Sequence, residues 1–161
     1  MVVREATVDD WPAIWHIMRP IVEAGETYAL ETDMDEEEAR RYWMLGDGVR
    51  TVVAELDGKI VGTGTGYANR PGNGSHVASG SFMVERERSG QGIGRALGED
   101  LIDWARQAGF KLIQFNAVVE TNHGAVALWK KLGFKIAGTV PNAFEHPTEG
   151  LIGLHVMFLE L

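Results

Sequence analysis

The chain has 161 residues, a formal net charge of −8 and no cysteine, and 45% of its residues are hydrophobic. This length suits one domain with a hydrophobic core. The missing cysteines exclude disulfides, thiolate metal ligands and a cysteine nucleophile, and we expect no metal site. The acidic charge argues against nucleic acid and anionic membranes as partners. Without a signal-peptide core or an apolar run long enough to span a membrane, a soluble cytoplasmic protein is expected.

The first half of the chain is predicted to form a strand, two helices and then a hairpin. A short strand at residues 2–6 precedes a helix whose first turn accommodates Pro12. A second helix begins after Asp35, which with Glu38 three residues later has the spacing of a capping box. The dipeptide Asp57-Gly58 predicts a tight turn between two strands.

The second half of the chain is predicted to alternate between strands and helices. In chain order these are strand 76–84, helix 93–108, strand 111–118, helix 122–132, and strands 134–140 and 151–161. The full order β-α-α-β-β-β-α-β-α-β-β predicts a mixed sheet of the α/β (α+β) class in a single domain over residues 1–161.

A glycine-rich loop between a predicted strand and helix consists of Ser89, Gly90, Gln91, Gly92, Ile93 and Gly94. Free N–H groups at a helix N-terminus bind phosphate, and Arg88 and Arg95 flank the loop with positive charge. A turn that serves only packing is the alternative. A Walker loop is excluded because Gly94 is followed by Arg95, not Lys. The G-x-G-x-G spacing also fits a dinucleotide fingerprint poorly.

Two segments carry a resemblance to a known family. FMVERERSGQGIGRALGEDLIDWA resembles the acetyl-CoA signature of the GNAT superfamily of N-acetyltransferases, Arg/Gln-x-x-Gly-x-Gly/Ala, with Gly92 and Gly94 at the glycine positions and Ser89 in place of Arg or Gln. NHGAVALWKKLGF is similar to the family segment Asn-x-x-Ala-x-x-Leu-Tyr-x-x-x-Gly-Phe. The resemblance implies a mostly antiparallel sheet of about seven strands flanked by four helices and splayed between the fourth and fifth strands. It also implies acetyl-CoA as co-substrate.

The resemblance further implies where acetyl-CoA lies. Its pantetheine arm would lie in the splay and pair with the backbone of Phe82, Met83 and Val84, and the Val84 N–H is expected to stabilise the tetrahedral oxyanion. Asn122 would contact the cofactor or the acyl group. The predicted cofactor-binding residues are Phe82, Met83, Val84, Arg88, Ser89, Gly90, Gln91, Gly92, Ile93, Gly94, Arg95, Asn122, Ala125 and Trp129.

Trp129 departs from the family pattern. Many members have a Tyr there, four residues before Gly133, and its hydroxyl is thought to protonate the departing thiolate. An indole N–H donates a hydrogen bond but is not a general acid. The acid role is therefore absent, reassigned or filled by water, and packing in the core is the more ordinary role for an aromatic at helical spacing.

The acceptor amine must lose a proton, because an alkyl amine with a pKa near 10 is mostly charged at pH 7. Glu120, His76 and His123 are the candidate bases, and Glu120 is also open to being an ordinary loop carboxylate. Asn116, in an otherwise apolar strand, either forms a structural hydrogen bond or orients the amine or the thioester together with Asn122.

The acceptor pocket is predicted from the first two helices, their connection and the C-terminal strands. Thr27 and Tyr28 are candidate wall residues, and Phe144 could close the pocket from a long loop at residues 140–150. We therefore expect direct acetyl transfer from acetyl-CoA to a small amine, such as an amino acid or analogue. The alternatives are a protein or peptide N-acetyltransferase and a non-catalytic coenzyme A sensor. Exposed strand edges and the family's habit suggest a homodimer.

Overall fold

A computed structural model describes all 161 residues, and its element order is the predicted one. The strands are β1 Val2–Glu5, β2 Arg50–Leu56, β3 Lys59–Ala68, β4 Val77–Val84, β5 Leu112–Val119, β6 Lys135–His146 and β7 Gly150–Glu160. The helices are α1 Trp11–Ala24, α2 Glu36–Met44, α3 Ile93–Gln107 and α4 His123–Lys131.

The seven strands form one sheet in the order β1-β2-β3-β4-β5-β7-β6. All neighbours are antiparallel except β4 and β5, which are parallel and pair only at Val77 with Leu112 and at Ala78 with Ile113. Beyond these two pairs β4 and β5 diverge, so residues 79–84 have no strand partner on the β5 side. The predicted sheet and its splay are both confirmed.

Local sequence signals begin and end these elements as expected. Asp35 and Glu38 form the reciprocal capping box of α2, with bonds of 2.9 and 3.1 Å between side chains and backbone amides. The β2–β3 hairpin turns at Asp57 and Gly58, whose φ angles of 52° and 74° match the left-handed region that a two-residue turn requires. Interactions between residues that are close in sequence therefore determine where α2 begins and where the hairpin turns.

Each face of the sheet has its own core. Helices α1 and α2 cover one face with Ile14, Met18 and Trp43, all fully buried. The indole of Trp43 donates to the Thr63 hydroxyl at 2.9 Å, so its one polar group is satisfied inside the core. Helices α3 and α4 cover the other face, and no β5 residue belongs to the core beneath α1 and α2. No helix covers the opposite face of β5, where Asn116 is exposed and Val119 is buried against Phe144 and Ile152 of the C-terminal hairpin.

The C-terminal hairpin differs from the prediction. β6 runs as far as His146, so the expected loop at residues 140–150 is mostly strand. Pro141 suggests a break, but β6 is an edge strand, where a residue without an N–H is tolerated. The register between β6 and β7 shifts between Val140 and Phe144, around Asn142 with φ 55°, so the two strands pair on both sides of this irregular segment.

None of the helices combines the length and the apolarity needed to cross a membrane.

Candidate active site

The glycine loop follows β4 at the end where β4 and β5 no longer pair. Gly90 and Gly92 have φ angles of 82° and 81°, a region that other L-residues rarely adopt, and open space surrounds both. Gly92 is the N-cap of α3 and has no capping side chain. The backbone amides of residues 92–95 donate no hydrogen bond. Four free N–H groups therefore meet at a helix N-terminus that small, unobstructed residues leave open to an anion.

The arginines beside this loop are already paired. Arg88 lies 2.8 Å from Glu85, and Arg95 lies 2.8 Å from Glu99. These surface pairs each contribute at most about 1 kcal/mol, so a bound anion could replace the carboxylates at low cost. Ser89 and Gln91 are exposed on the same loop.

The edge of β4 presents alternate residues to the splay. The Glu85 N–H donates to the Val61 carbonyl at 3.0 Å, and the register pairs Met83 with Thr63. Because narrow and wide pairs alternate in an antiparallel ladder, the backbone groups of Phe82 and Val84 point away from β3. The prediction that the Met83 backbone pairs with a cofactor arm is therefore wrong, since its groups face β3 and its side chain lies in the α1 core.

Tyr28 reaches this edge from the α1–α2 connection. The Phe82 N–H donates to the Tyr28 hydroxyl at 3.0 Å, and the same hydroxyl donates to the Phe82 carbonyl. Burial is the main cause that raises the pKa of Tyr28 above the usual phenol range. The Phe82 contact opposes this shift, and the nearby Tyr42 and Tyr67 add to it. Tyr28 is thus a neutral hydrogen-bonding group at the splay, and all three tyrosines of the chain lie near one another.

Trp129 lies in the core between α3, α4 and β5, as expected for a helix-spaced aromatic. Its ring is 5.0 Å from that of Phe82 and 4.8 Å from that of Phe115, and only 7% of the residue is exposed. Gly98 on α3 allows this approach, since a Cβ there would lie 2.9 Å from the indole. The indole offers no dissociable proton for a leaving thiolate.

Asn122 begins α4. Its Oδ1 accepts the Ala125 N–H at 3.3 Å, so the side chain caps the helix. Its amide nitrogen makes no hydrogen bond within the chain and can donate to a ligand. Because the cap uses only the oxygen, a structural role and a binding role are compatible in this one residue.

Asn116 is exposed although its strand is otherwise apolar, because no helix covers its face of β5. Its amide pairs reciprocally with Asn69, at 2.6 and 3.2 Å, and accepts from Gln114 at 3.0 Å. No hydrogen bond joins Asn116 to Asn122. Asn69 was missed because 47 residues separate it from its partner and no local signal connects them.

Glu120 is held at the end of β5 and is not a free loop carboxylate. Its Oε1 accepts the Gly153 N–H at 2.5 Å, which leaves Oε2 without a hydrogen bond. Of the other candidate bases, His123 is exposed on α4. His76 precedes the end of β4 that is still paired with β5, far from the glycine loop. Among the three, Glu120 is the one that the chain holds in a fixed position.

Phe144 does not close a pocket from a loop. It lies in β6 with only 6% of its surface exposed and packs against Val119 and Ile152. The predicted pocket-closing role is therefore wrong. Thr27 and Tyr28, in contrast, lie together in the α1–α2 connection where it meets β4.

Residues 11–134 match the family model described as the acetyltransferase (GNAT) family. A solved structure of a GCN5-related N-acetyltransferase from Kribbella flavida is 55% identical, with a TM-score of 0.95, and the match covers 99% of this chain and 97% of that one. A GNAT superfamily phosphinothricin acetyltransferase from Sinorhizobium meliloti, solved in complex with AcCoA, is 26% identical with a TM-score of 0.86, covering 99% and 88% of the two chains.

The curated relatives that match over most of this chain include the following two. N-acetyltransferase aca1 of Schizosaccharomyces pombe is 31% identical over 76% of this chain, and the match spans 66% of that relative's own length. The L-amino acid N-acetyltransferase AaaT of Escherichia coli is 30% identical over 86% of this chain and 85% of its own length. The chain therefore belongs to the GNAT family of acetyltransferases, as its two signature segments predicted.

Proposed function

We propose that this protein transfers the acetyl group of acetyl-CoA directly to the amine of a small molecule, an amino acid or an amino-acid analogue. One observation carries the proposal. The unpaired β4 edge at residues 79–84 leads within ten residues to the free amides of residues 92–95. An extended amide-containing arm ending in a pyrophosphate matches this order of groups, because strand edges bind amides and helix N-termini bind phosphate.

The proposed cofactor site follows from these groups. The amides of residues 92–95 bind the pyrophosphate, with Ser89, Gly90 and Gln91 lining the same loop. The backbone groups of Phe82 and the Val84 carbonyl pair with the pantetheine arm, which leaves the Val84 N–H for the thioester carbonyl. On the other side of the splay, α4 contributes Asn122, Ala125 and the edge of Trp129. The acetyl-CoA complex of the Sinorhizobium relative supports this ligand.

The chemistry then requires a proton acceptor and an oxyanion donor. In the proposed reaction Glu120 takes the amine proton through a water molecule, since its Oε2 has no partner within the chain. The amine lone pair attacks the thioester carbon, and the Val84 N–H stabilises the resulting oxyanion. When the C–S bond breaks, its electron pair stays on sulfur, and the second proton that the nitrogen loses passes through water to the thiolate.

The acceptor face supports a small substrate. Thr27 and Tyr28 lie in the α1–α2 connection, where Tyr28 bonds to β4, and Asn116 lies in its amide cluster on the neighbouring strand β5. These groups are uncharged and suit recognition by hydrogen bonding. The names of the Escherichia and Sinorhizobium relatives, an L-amino acid N-acetyltransferase and a phosphinothricin acetyltransferase, agree with an acceptor of this size.

Thiol release from acetyl-CoA against a panel of amines tests the proposal. The panel holds the L-amino acids, simple alkylamines and short peptides with free N-termini, and calorimetry measures coenzyme A binding in parallel. Release with amino acids supports the proposal. Release with peptides alone would replace it with peptide acetylation, and tight binding without release would indicate a coenzyme A sensor. Absence of binding would overturn the cofactor site itself.

We further propose that the chain acts as one cytoplasmic domain and forms a homodimer. Support for the dimer comes from the edge strand β6 and from the exposed side chains of Val140 and Leu151, which are 55% and 62% accessible. Light scattering on the purified protein measures the oligomeric state directly. A monomer at micromolar concentration would overturn the dimer proposal without affecting the proposed chemistry.

A further inference from the structure

The α1–α2 connection is bonded to β4 at the place where the acyl arm is proposed to bind. The hydroxyl of Tyr28 accepts from the Phe82 N–H at 3.0 Å and donates to the Phe82 carbonyl. It therefore uses both backbone groups that Phe82 directs into the splay. Phe82 and Val84 are the last two residues of β4 whose backbone groups point into the splay. Tyr28 occupies those of Phe82, which leaves those of Val84 for a ligand.

A second contact ties the same connection to the segment after β4. Glu26 lies 2.9 Å from Arg86, in the short 3₁₀ turn Arg86–Arg88 that leads into the glycine loop. Two residues of the connection, Glu26 and Tyr28, thus join it to β4 and to its C-terminal extension. We call residues 26–28 the strap.

The strap and an acyl arm compete for the same atoms. A hydroxyl has one hydrogen to donate, and the Phe82 N–H can serve only one good acceptor at a time. An arm that pairs with Phe82 must therefore replace the Tyr28 hydroxyl. Because Thr27 and Tyr28 also belong to the acceptor side, replacing that hydroxyl changes the acceptor pocket too.

We propose that the strap closes the acyl-arm edge of β4 in the free protein and that acyl-CoA displaces it. Tyr28 then moves from Phe82 toward the acceptor, so binding of the donor completes the acceptor site. This inference rests on the proposed acetyl-CoA site. It assigns Tyr28 a positioning role that is separate from the proposed cofactor contacts of the glycine loop and α4.

Calorimetric titration with coenzyme A tests the strap without an acceptor or turnover. Tyr28→Phe removes the hydroxyl and keeps the ring, so coenzyme A no longer competes for Phe82. We expect its Kd to fall about three- to tenfold, the effect of one net hydrogen bond. Tyr42→Phe removes a neighbouring hydroxyl that does not touch Phe82, and its Kd should stay within about twofold of the parent value.

The ion pair supplies a second variant if Tyr28→Phe folds poorly. Glu26→Gln should lower the Kd by about two- to threefold, as expected for an exposed pair. Removing a negative charge also favours an anionic ligand, so Glu23→Gln, paired only with Arg19 on α1, is the charge-matched control. An equal gain in both Gln variants would count against the strap.

The outcomes separate the strap from the proposed function. If the parent protein does not bind coenzyme A, the acetyl-CoA site fails. If the parent binds and Tyr28→Phe binds equally or more weakly, the strap is wrong and the acetyltransferase proposal stands. Tighter binding in Tyr28→Phe with unchanged Tyr42→Phe supports displacement.

Discussion

Asn122 has two separable functions, and two substitutions distinguish them. Its Oδ1 caps α4 through the Ala125 N–H at 3.3 Å, while its amide nitrogen is proposed to contact the acyl region. Asn122→Ala removes both groups. Asn122→Asp keeps an oxygen that can cap the helix, removes the amide donor and adds a negative charge.

The expected effects on stability follow from the cap. Loss of an N-cap costs about 1 kcal/mol, which for a chain of this length lowers Tm by about 2–4 °C in Asn122→Ala. Asn122→Asp should keep the parent Tm or exceed it slightly, because a carboxylate at a helix N-terminus interacts favourably with the helix dipole. Differential scanning calorimetry at pH 7 measures both.

The expected effects on activity follow from the amide. Both variants lose a hydrogen-bond donor worth about 0.5–1.5 kcal/mol, so kcat/KM in the thiol-release assay should fall about three- to tenfold in each. If Asn122→Asp has the parent kcat/KM, Asn122 serves α4 alone and its proposed ligand contact is wrong. If Asn122→Ala keeps its Tm, the capping argument is wrong instead.

Three further substitutions test the loop, the core and an ion pair. Gly92→Ala forces an L-residue to φ 81°, at a cost of about 1–2 kcal/mol, and coenzyme A binding measured by calorimetry should weaken at least about tenfold. Gly72→Ala is the control, because Gly72 has a φ of 59° in an open turn, so the substitution causes the same strain and should leave binding unchanged. Trp129→Phe should retain kcat, because the indole supplies no proton, while thermal unfolding shows a loss of about 1–3 kcal/mol; a collapse of kcat with a retained fold would contradict this. Hydrogen bonding from Arg4 holds the pKa of Asp10 at about 2, below the ordinary 3.8. Its stabilisation is therefore present above about pH 4 and lost as pH falls towards 2. Asp10→Asn should cost about 2 kcal/mol in urea melts at pH 7, and a constant deficit down to pH 2 would refute the linkage.

Most of the fold could be predicted because its signals are local. Apolar periodicity, the Asp35 capping box and the Asp57-Gly58 turn each act within a few residues, and each lies where expected. β6 was shortened because Pro141 and Asn142 have the local chemistry of a loop. Only the position of β6 at the sheet edge, a property of the whole topology, makes Pro141 acceptable there.

The parts of the candidate site that lie within one continuous segment could be predicted from the sequence, and the contacts between distant segments could not. The glycine loop and the α4 cap are continuous segments, and their geometry follows from residues that the sequence shows side by side. The Tyr28 contact with Phe82 spans 54 residues, and the amide pair of Asn69 with Asn116 spans 47. Such contacts depend on which strands become neighbours and where they diverge, which no spacing within one segment encodes.

Glu120 offers a direct test of how the acceptor loses its proton. Its Oε1 accepts the Gly153 N–H at 2.5 Å, and a glutamine oxygen can accept the same bond, so Glu120→Gln should preserve Tm. If the carboxylate is the base, kcat/KM should fall at least about a hundredfold, because general base catalysis typically contributes that much.

The pH dependence of kcat/KM distinguishes Glu120 from solvent as the proton acceptor more clearly than the rate at one pH. Without a base supplied by the chain, kcat/KM follows the fraction of the amine that is neutral, so the profile of Glu120→Gln should have only the acidic limb of the amine. If the variant retains both the rate and the shape of the profile, the carboxylate serves only to hold β7 against β5. The amine would then lose its proton to solvent, and reactivity across a panel of acceptors would follow the fraction of each amine that is neutral at the assay pH.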